Sequence, residues 1–313
     1  MDLAIEAEGI RKRYGDTAAL DGFDLAVPAG TVHGLLGRNG AGKTTAVRIL
    51  TTLLRSDAGR ATVAGHDVGE QPTRVRERIG LVGQHAAVDE VLTGRQNLVL
   101  FGRLHHLGSR PARARAEQLL DQFDLTQAAD RPARTYSGGM RRRLDLAASM
   151  IGSPRVLFLD EPTAGLDPDG RHELWTAVRA LVAAGATVLL TTQYLEEADQ
   201  LAAQVSVLDR GRVVAAGTPG QLKSRLGAAR IDLTVRAPEQ LGAAAELLGR
   251  IAEAPPEVDA GSRRLQVPVR DHVAALISVA QQFEAAGIGI ADLALRQPTL
   301  DEVFRQLTQP EAA

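Results

Sequence analysis

The chain has 313 residues, with 36 lysine and arginine residues against 38 aspartate and glutamate residues, no cysteine and 10 aromatic residues. The absence of cysteine excludes disulfide scaffolds, cysteine zinc sites and thiol nucleophiles. The formal net charge of −2 argues against a dedicated nucleic-acid-binding protein. Three of the basic residues are lysines, so a motif that needs lysine at a fixed position is improbable by chance.

The start of the chain and its apolar stretches have no targeting or membrane-spanning pattern. The first six residues are acidic and lack the basic and apolar regions of a signal peptide. The longest stretch without a charged residue, 180–195, has 16 residues, several of them small or hydroxyl-bearing. It is too short and too polar to span a bilayer, so the chain by itself is expected in the cytosol.

Apolar runs and helical spacing alternate through the first half of the chain. Residues 31–36 predict a short buried strand that leads through a glycine-rich turn into a helix over 44–54. A second strand is predicted at 79–83, and residues 89–150 have helical spacing with many arginines. The continuous apolar run 156–159 is typical of a central parallel strand.

The pattern continues with a helix over 171–182 and buried strands at 187–192 and 205–208. Residues 209–212 join the latter to 213–215 as a predicted hairpin. Strands that alternate with helices predict an α/β fold, with a parallel or mixed sheet covered on both faces. The helical stretch 89–150 is expected to be inserted into this sheet as a subdomain.

Residues 228–313 have a different texture. Short alternating apolar patterns are separated by helical stretches rich in alanine and leucine, with a loop expected at 254–256. Since the length also exceeds that of a usual single domain, we predict a main domain over 1–227 and a small α+β domain over 228–313. The alternating residues are Ile231, Leu233 and Val235, then Leu265, Val267 and Val269, then Ile288 and Ile290.

A phosphate-binding loop is predicted between the strand 31–36 and the helix 44–54. The pattern G-x-x-x-x-G-K-[ST] stands in the context that this loop requires, although a simple glycine-rich turn is the alternative. Backbone N–H groups and the helix N-terminus would surround phosphates, a lysine would reach the β- and γ-phosphates, and a threonine would ligate Mg²⁺. The residues are Gly37, Arg38, Asn39, Gly40, Ala41, Gly42, Lys43 and Thr44.

Two acidic residues, Asp160 and Glu161, follow the apolar run 156–159. Carboxyl ends of buried parallel strands face the ligand crevice, so these residues are candidates for the second half of the nucleotide site. Asp160 would hold Mg²⁺ through its water shell, and Glu161 would polarise the attacking water. The alternative is an exposed acidic turn ahead of Pro162.

A second glycine-containing helix start lies at Ser137, Gly138, Gly139 and Met140. It predicts another anion-binding helix N-terminus, which one chain needs only if it serves the nucleotide of another chain. The arginines at 141–143 follow it. They could form a nucleic-acid patch, but the sequence favours a solvated helix face.

These motifs, in this order and spacing over residues 3–220, resemble the ATP-binding cassette of ABC transporters. Residues 191–200 and 298–304 look like the ATP-binding subunits of daunorubicin/doxorubicin-resistance-type exporters. The resemblance implies a P-loop NTPase core with an inserted helical subdomain and a C-terminal accessory domain. A P-loop GTPase is disfavoured, because its Asn-Lys-x-Asp pattern is absent.

The resemblance also implies roles for single residues. Tyr14 would stack on adenine, with a surface tyrosine as the alternative, and Thr45 would join the phosphate-binding loop. Gln84 would contact Mg²⁺ or the attacking water, and Asp167 would lie in a loop that crosses a dimer interface. The segment Ser137–Met140 would contact the γ-phosphate of ATP held by a partner subunit.

Two positions depart from the family pattern. The segment that begins at Ser137 usually ends in glutamine, whereas Met140 cannot donate the corresponding hydrogen bond. Histidine usually follows the strand 187–192, whereas this chain has Gln193. An amide can hydrogen-bond the γ-phosphate but cannot gain a proton near neutral pH, which leaves Glu161 as the main candidate base.

The expected protein is thus an ATP-hydrolysing subunit of an ABC exporter that uses ATP and Mg²⁺, acts as a homodimer and has no nucleic-acid partner. It would work with a separate integral membrane permease, contacted near residues 85–107, at the cytoplasmic face of the cell membrane. A hydrophobic drug, an antibiotic or a lipid would be the cargo. The alternative is a soluble ABC-type ATPase that acts on nucleic acid or ribosomes.

Overall fold

The computed structural model describes residues 2–84, 86–224, 230–252, 254–269, 272–296 and 299–308. It divides into two units, one up to Pro219 and one from Gly220 onward. The predicted domain boundary at 227/228 lies outside the described residues, as do His85 of the expected permease contact and Pro298 of the C-terminal motif. No helix of the described ranges is long and apolar enough to cross a membrane.

Two sheets and a set of helices make up the first unit. Its strands are β1 (Leu3–Tyr14), β2 (Thr17–Pro28), β3 (Val32–Gly37), β4 (Ala58–Val63), β5 (His66–Asp67), β6 (Ile79–Val82), β7 (Val156–Asp160), β8 (Thr187–Thr192), β9 (Gln204–Asp209) and β10 (Arg212–Gly217). Its helices are α1 (Lys43–Leu50), α2 (Pro72–Arg76), α3 (Gly94–Leu104), α4 (Ser109–Gln122), α5 (Gly138–Ser149), α6 (Pro168–Ala183) and α7 (Leu195–Leu201); α8 (Pro219–Ser224) begins at the unit boundary.

The central sheet has the order β10-β9-β3-β8-β7-β6. Strands β9, β3, β8, β7 and β6 are parallel, and β10 pairs with β9 as an antiparallel hairpin. Every residue of β3, β7 and β8 is buried, as expected for strands covered on both faces. The predicted α/β fold is confirmed.

A second, antiparallel sheet of order β2-β1-β4-β5 was not predicted. Its apolar residues, which include Ile5, Phe23 and Val63, share one core with α1 and the central sheet. The central sheet contributes Leu35 and Phe158 to this core. Strand β1 pairs with β2 through several register shifts, one of them between Ala7 and Ile10. These irregularities interrupt the alternation of apolar residues, so periodicity did not reveal the strand.

The helices α3, α4 and α5 fall within the stretch 89–150 that the sequence predicts to be helical. Helix α3 begins with a capping box, in which the Thr93 hydroxyl accepts from the Gln96 backbone and the Gln96 side chain accepts from the Thr93 backbone. Short 3₁₀ turns at Thr126–Ala128 and Ala133–Thr135 connect α4 to α5. These turns set where α5 begins, at the segment Ser137–Met140.

The second unit has one antiparallel sheet of order β12-β13-β11-β14, packed on helices. Its core holds the predicted alternating residues of 231–235 and 265–269 together with Phe283. The last predicted strand, at 288–290, instead begins at Ile290 and runs to Arg296. The elements are β11 (Arg230–Val235), α9 (Leu241–Ala252), β12 (Glu257–Asp259), β13 (Arg264–Pro268), α10 (His272–Ala285), β14 (Ile290–Arg296) and α11 (Leu300–Thr308).

A charged cluster crosses this second sheet on its other face. The carboxylate of Asp232, on β11, is almost fully buried and accepts hydrogen bonds from Arg264 on β13. It also forms an ion pair with Arg296 on β14, whose Nε lies 2.6 Å from Asp232 Oδ2. The hydrogen bond from Arg264 is the main reason that the pKa of Asp232 is lowered. The cluster joins three neighbouring strands through one carboxylate.

His33 is a buried histidine of β3. Its burial predicts that the stability of the first unit falls in acid. Its Nε2 lies 2.9 Å from Ser206 Oγ, its Nδ1 has no hydrogen-bond partner among the described residues, and burial lowers its pKa to about 4. The unfolded chain binds this proton below about pH 6.5 and the folded chain does so only near pH 4, so stability falls across that interval as pH falls. The expected loss by pH 4 is about 3 kcal/mol.

Urea unfolding at pH 7.5 and pH 5, followed by the fluorescence of Trp175, measures this effect. Trp175 is the single tryptophan of the sequence and lies in α6 of the first unit. His33→Gln, which keeps a hydrogen-bonding group toward Ser206, should lose less stability between the two pH values than the wild type. The exposed His106→Asn should behave as the wild type, and an equal pH response in all three proteins would refute the assignment.

Candidate nucleotide-binding site

The glycine-rich loop joins β3 to α1 and needs glycine at particular positions. Gly40 and Gly42 have positive φ angles of 82° and 111°. A Cβ on Gly42 would lie 2.4 Å from the Ala19 carbonyl oxygen, and a Cβ on Gly37 would lie 2.7 Å from that of Leu208. Backbone from neighbouring segments therefore packs directly against the loop at Gly37 and Gly42.

Lys43, the first residue of α1, is buried and lies across this loop. Its Nζ donates to the carbonyl oxygens of Gly37 at 2.8 Å and Arg38 at 3.2 Å. The same Nζ is 3.0 Å from Glu161 Oε1. The loop and the end of β7 are thus joined by one ammonium group with a carboxylate beside it.

Asp160 closes β7 and is 4% exposed. Its Oδ2 accepts from Thr44 Oγ1 at 3.0 Å, and its Oδ1 accepts from Thr191 Oγ1 at 2.5 Å. Gln84 Nε2 lies 3.5 Å from the same Thr44 Oγ1. The structure therefore brings together Thr44, Asp160 and Gln84, the three residues predicted to hold a metal.

The chemistry of this set fits Mg²⁺. Hydroxyl, carboxylate and amide oxygens are hard ligands, and Mg²⁺ is usually held by one or two carboxylates with water and substrate phosphates. No group of three or more histidine, aspartate or glutamate side chains placed to hold a metal occurs in the described part of the chain. A cage made wholly of protein side chains is therefore not what these residues form.

Glu161 has an unusual backbone for a residue with a side chain. Its φ angle is 50°, in the left-handed region, and its N–H donates to both the carbonyl and the hydroxyl oxygen of Thr191 at 3.1 Å. Strained backbone of this kind persists where its surroundings hold it, often at functional sites. The neighbouring strand β8 thus holds the Glu161 backbone in this conformation, and the Glu161 carboxylate contacts Lys43 Nζ.

One cavity of about 500 Å³ collects most of the predicted nucleotide contacts. Tyr14, at the end of β1, is 49% exposed and lies at this cavity. The volume lies in the usual range of small-molecule sites, roughly 300–1,000 Å³. The lining residues are Tyr14, Ala19, Arg38, Asn39, Gly40, Gly42, Lys43, Thr44, Thr45, Gln84 and Glu161.

A separate group of predicted residues does not line this cavity. Ser137 caps α5 by accepting from the Met140 N–H at 3.2 Å, and Asp167 caps α6 by accepting from the Gly170 N–H at 2.9 Å. Gly138 is exposed, and a Cβ on Gly139 would contact the α6 residue Gly170 at an ordinary 3.5 Å. The two helix starts lie side by side, apart from the cavity of their own chain.

Gln193 directly follows β8 and is half-buried. Strand β8 lies between β3 and β7, so its carboxyl end shares a sheet edge with the glycine-rich loop and Asp160. Gln193 does not line the cavity with Glu161, although the two follow adjacent strands.

The sequence analysis missed two buried charged residues. The predicted solvated face over 141–143 is wrong for Arg142, which is 7% exposed and hydrogen-bonded to the strand ends. Glu197 of α7 is also buried, its pKa is raised chiefly by that burial, and Trp175 Nε1 donates to its Oε1 at 3.4 Å. Helical spacing could have indicated that Arg142 is buried, because Arg142 shares a face of α5 with the buried Asp145 and Leu146.

Comparisons with known proteins agree with this geometry. A family model described as ABC transporter matches residues 20–164. The daunorubicin resistance ATP-binding protein DrrA2 of Streptomyces coeruleorubidus is 61% identical, over 97% of this chain and 95% of that protein. The daunorubicin/doxorubicin resistance ATP-binding protein DrrA of Streptomyces peucetius is 50% identical, over 97% and 92%.

A solved structure also matches this fold. CbiO1 from Clostridium perfringens, part of the ABC transporter complex CbiONQ, matches with a TM-score of 0.67 and 27% identity. The match covers 72% of this chain and 92% of that protein. The resemblance drawn from the motifs is confirmed. The chain therefore belongs to the ATP-binding subunits of ABC transporters and is an ABC-type ATPase.

Proposed function

We propose that this chain powers the export of a hydrophobic drug or antibiotic through a separate membrane permease. The observation that carries the proposal is the grouping of Lys43, Thr44, Asp160 and Glu161 at one sheet edge beside the cavity. The cargo class is inferred from the relatives, whose names state daunorubicin and doxorubicin resistance. A lipid cargo suits the same residues equally well.

In the proposed reaction Lys43 binds the β- and γ-phosphates of ATP, and the loop N–H groups bind the remaining phosphate oxygens. Glu161 accepts a hydrogen bond from the attacking water and takes its proton as the bond from the water oxygen to the γ-phosphorus forms. The bond from that phosphorus to the oxygen of the β-phosphate breaks in the same reaction, and ADP is the leaving group. Gln193 orients the γ-phosphate by hydrogen bonding, without proton transfer. Tyr14 stacks on the adenine at the open side of the cavity.

Thr44, Asp160 and Gln84 would hold Mg²⁺ in this site. When bound, the ion neutralises charge on the β- and γ-phosphates. The protein groups contribute by position: Asp160 is fixed by the hydroxyls of Thr44 and Thr191, so its carboxylate is already directed toward the loop. Gln84 reaches the same hydroxyl from the loop after β6.

We further propose that two copies assemble head to tail around two ATP molecules. The segment Ser137–Met140 lies apart from its own cavity, as a segment that serves the nucleotide of a partner would. The helix N-terminus of α5 supplies N–H groups and partial positive charge for a γ-phosphate. Asp167 lies beside it at the start of α6, on the proposed interface.

The permease is proposed to contact the first unit within residues 85–107. This stretch presents the exposed apolar side chains Val91, Leu100 and Leu104, which are 73%, 41% and 64% exposed. Exposed apolar groups of this kind are suited to contact with a permease loop. The assembled protein would then lie at the cytoplasmic face of the membrane, and the second unit would be an accessory domain.

The double variant Val91→Ser and Leu104→Ser tests this function. Transport of daunorubicin into inverted vesicles that contain the co-purified membrane protein should fall at least fivefold, while ATP hydrolysis by the isolated chain stays within twofold. The matched control is Val214→Ser on β10, a 42% exposed valine outside the stretch. Equal losses of transport and hydrolysis would contradict the contact, and co-purification with ribosomes instead of a membrane protein would contradict the exporter.

A further inference from the structure

The guanidinium group of Arg142 forms a buried junction between α5 and two strand ends. Its Nε donates to the Pro162 carbonyl at 2.7 Å, and its Nη1 donates to the Gly83 carbonyl at 2.7 Å. Its Nη2 donates to the Glu161 carbonyl at 3.4 Å, and Nη1 lies 3.4 Å from Asp145 Oδ2. All three guanidinium nitrogens are therefore engaged, mostly by backbone.

The carbonyls that Arg142 binds belong to the two loops that carry the proposed chemistry. Gly83 directly precedes Gln84 in the loop after β6, and Glu161 and Pro162 form the loop after β7. Asp145 accepts from the Ala87 N–H at 2.8 Å, one helical turn beyond Arg142. The loop after β6 is thus held at two points, on either side of Gln84.

The N-cap of the same helix is Ser137, whose segment is proposed to serve the nucleotide of a partner. Arg142 lies little more than one turn from that N-terminus, so α5 cannot shift without moving its bonds to both loops. Because the members of this hydrogen-bond network are packed at fixed distances, a shift of α5 would move the two loops with it. All residues of the network lie within the first unit.

Arginine is suited to this place and lysine is not. A guanidinium group offers five N–H donors in a planar fork, and here they reach three carbonyls and one carboxylate. An ammonium group is a single point with a shorter reach, and it would leave some of these buried carbonyls without a donor.

We propose that Arg142 is a positioning residue for ATP hydrolysis, which holds Gln84 and Glu161 at fixed places relative to α5 and its N-cap Ser137. The inference rests on the proposed roles of Gln84 and Glu161. It differs from them in that Arg142 acts through backbone carbonyls and touches neither nucleotide nor water.

The variant Arg142→Lys tests the proposal, with the exposed Arg113→Lys on α4 as the matched control. Each protein is measured for its kcat per folded chain and for its Kd for ATP without hydrolysis, at a temperature where thermal unfolding shows it folded. Arg142→Lys should lower kcat at least about 10-fold, since misplacement of about 1 Å can cost about 100-fold. Its Kd should stay within twofold, and Arg113→Lys should match the wild type in both.

If Arg142→Lys does not fold, Asp145→Asn takes its place. That change keeps the side-chain shape but removes the charge beside Nη1, and kcat should fall at least about threefold with Kd unchanged. A kcat within twofold of wild type, with only a lower melting temperature, would overturn the positioning role. Failure of the proposed function looks different, because then the wild type itself would not hydrolyse ATP or Glu161→Gln would remain active.

Discussion

Glu161→Gln should abolish ATP turnover and leave ATP binding intact. General-base catalysis contributes roughly 10²- to 10⁴-fold, so kcat should fall at least about 100-fold. The glutamine keeps the shape of the side chain but cannot take a proton from water. It also removes the carboxylate 3.0 Å from Lys43, so the Kd for ATP should stay equal or decrease.

Steady-state phosphate release and calorimetric titration with ATP measure these two quantities separately. The control is Glu70→Gln, an exposed carboxylate outside the cavity, which should match the wild type in both. Hydrolysis by Glu161→Gln within threefold of wild type would exclude Glu161 as the base. Loss of ATP binding in that variant would indicate damage to the loop instead.

Lys43→Ala should remove most of the affinity for ATP. Lys43 is buried, contacts the loop carbonyls and lies at the cavity, so its ammonium group is placed to meet the phosphates. Charged hydrogen bonds contribute about 1.5–3 kcal/mol each, which predicts a Kd roughly 10- to 150-fold weaker. Truncation also leaves the Glu161 carboxylate without its cation, a repulsive neighbour for the phosphates.

Calorimetry with Mg-ATP measures this change, and Lys12→Ala is its matched control. Lys12 also forms an ion pair, 2.6 Å from Asp57, but it does not line the cavity. Lys12→Ala should bind ATP as the wild type does. If Lys43→Ala bound ATP within threefold of wild type, the cavity would not be the phosphate site.

The parts of the fold that could be predicted depend on local patterns. The strands β3, β7 and β8 each carry a short run of apolar residues and are buried throughout, and such runs are visible in the sequence. The glycine-rich loop is visible because neighbouring backbone leaves no room for a Cβ at Gly37 or Gly42. Asp160 follows from its place at a strand end.

Other parts depend on contacts between distant segments. Strand β1 was not predicted because its pairing with β2 is irregular. Gly9 within the strand and Gly15 directly after it also have positive φ angles. Arg142 appeared to be one of three surface arginines because its partners, Gly83 and Pro162, lie 59 and 20 residues away. The left-handed backbone of Glu161 is set by Thr191, 30 residues further along the chain.

We propose that ATP is held between two copies of this chain, and light scattering of Glu161→Gln with saturating Mg-ATP tests this composite site most directly. Because this variant should bind without hydrolysing, the mass should rise to twice the 33.2 kDa of one chain. Gly138 is exposed, and a Cβ there would lie at an ordinary van der Waals distance from its neighbours, so an aspartate fits at this position. Adding Gly138→Asp should return the mass to that of one chain, because its carboxylate would face the γ-phosphate of the ATP held by the partner. A mass of one chain for Glu161→Gln with ATP bound, or a dimer that Gly138→Asp leaves unchanged, would contradict the composite site.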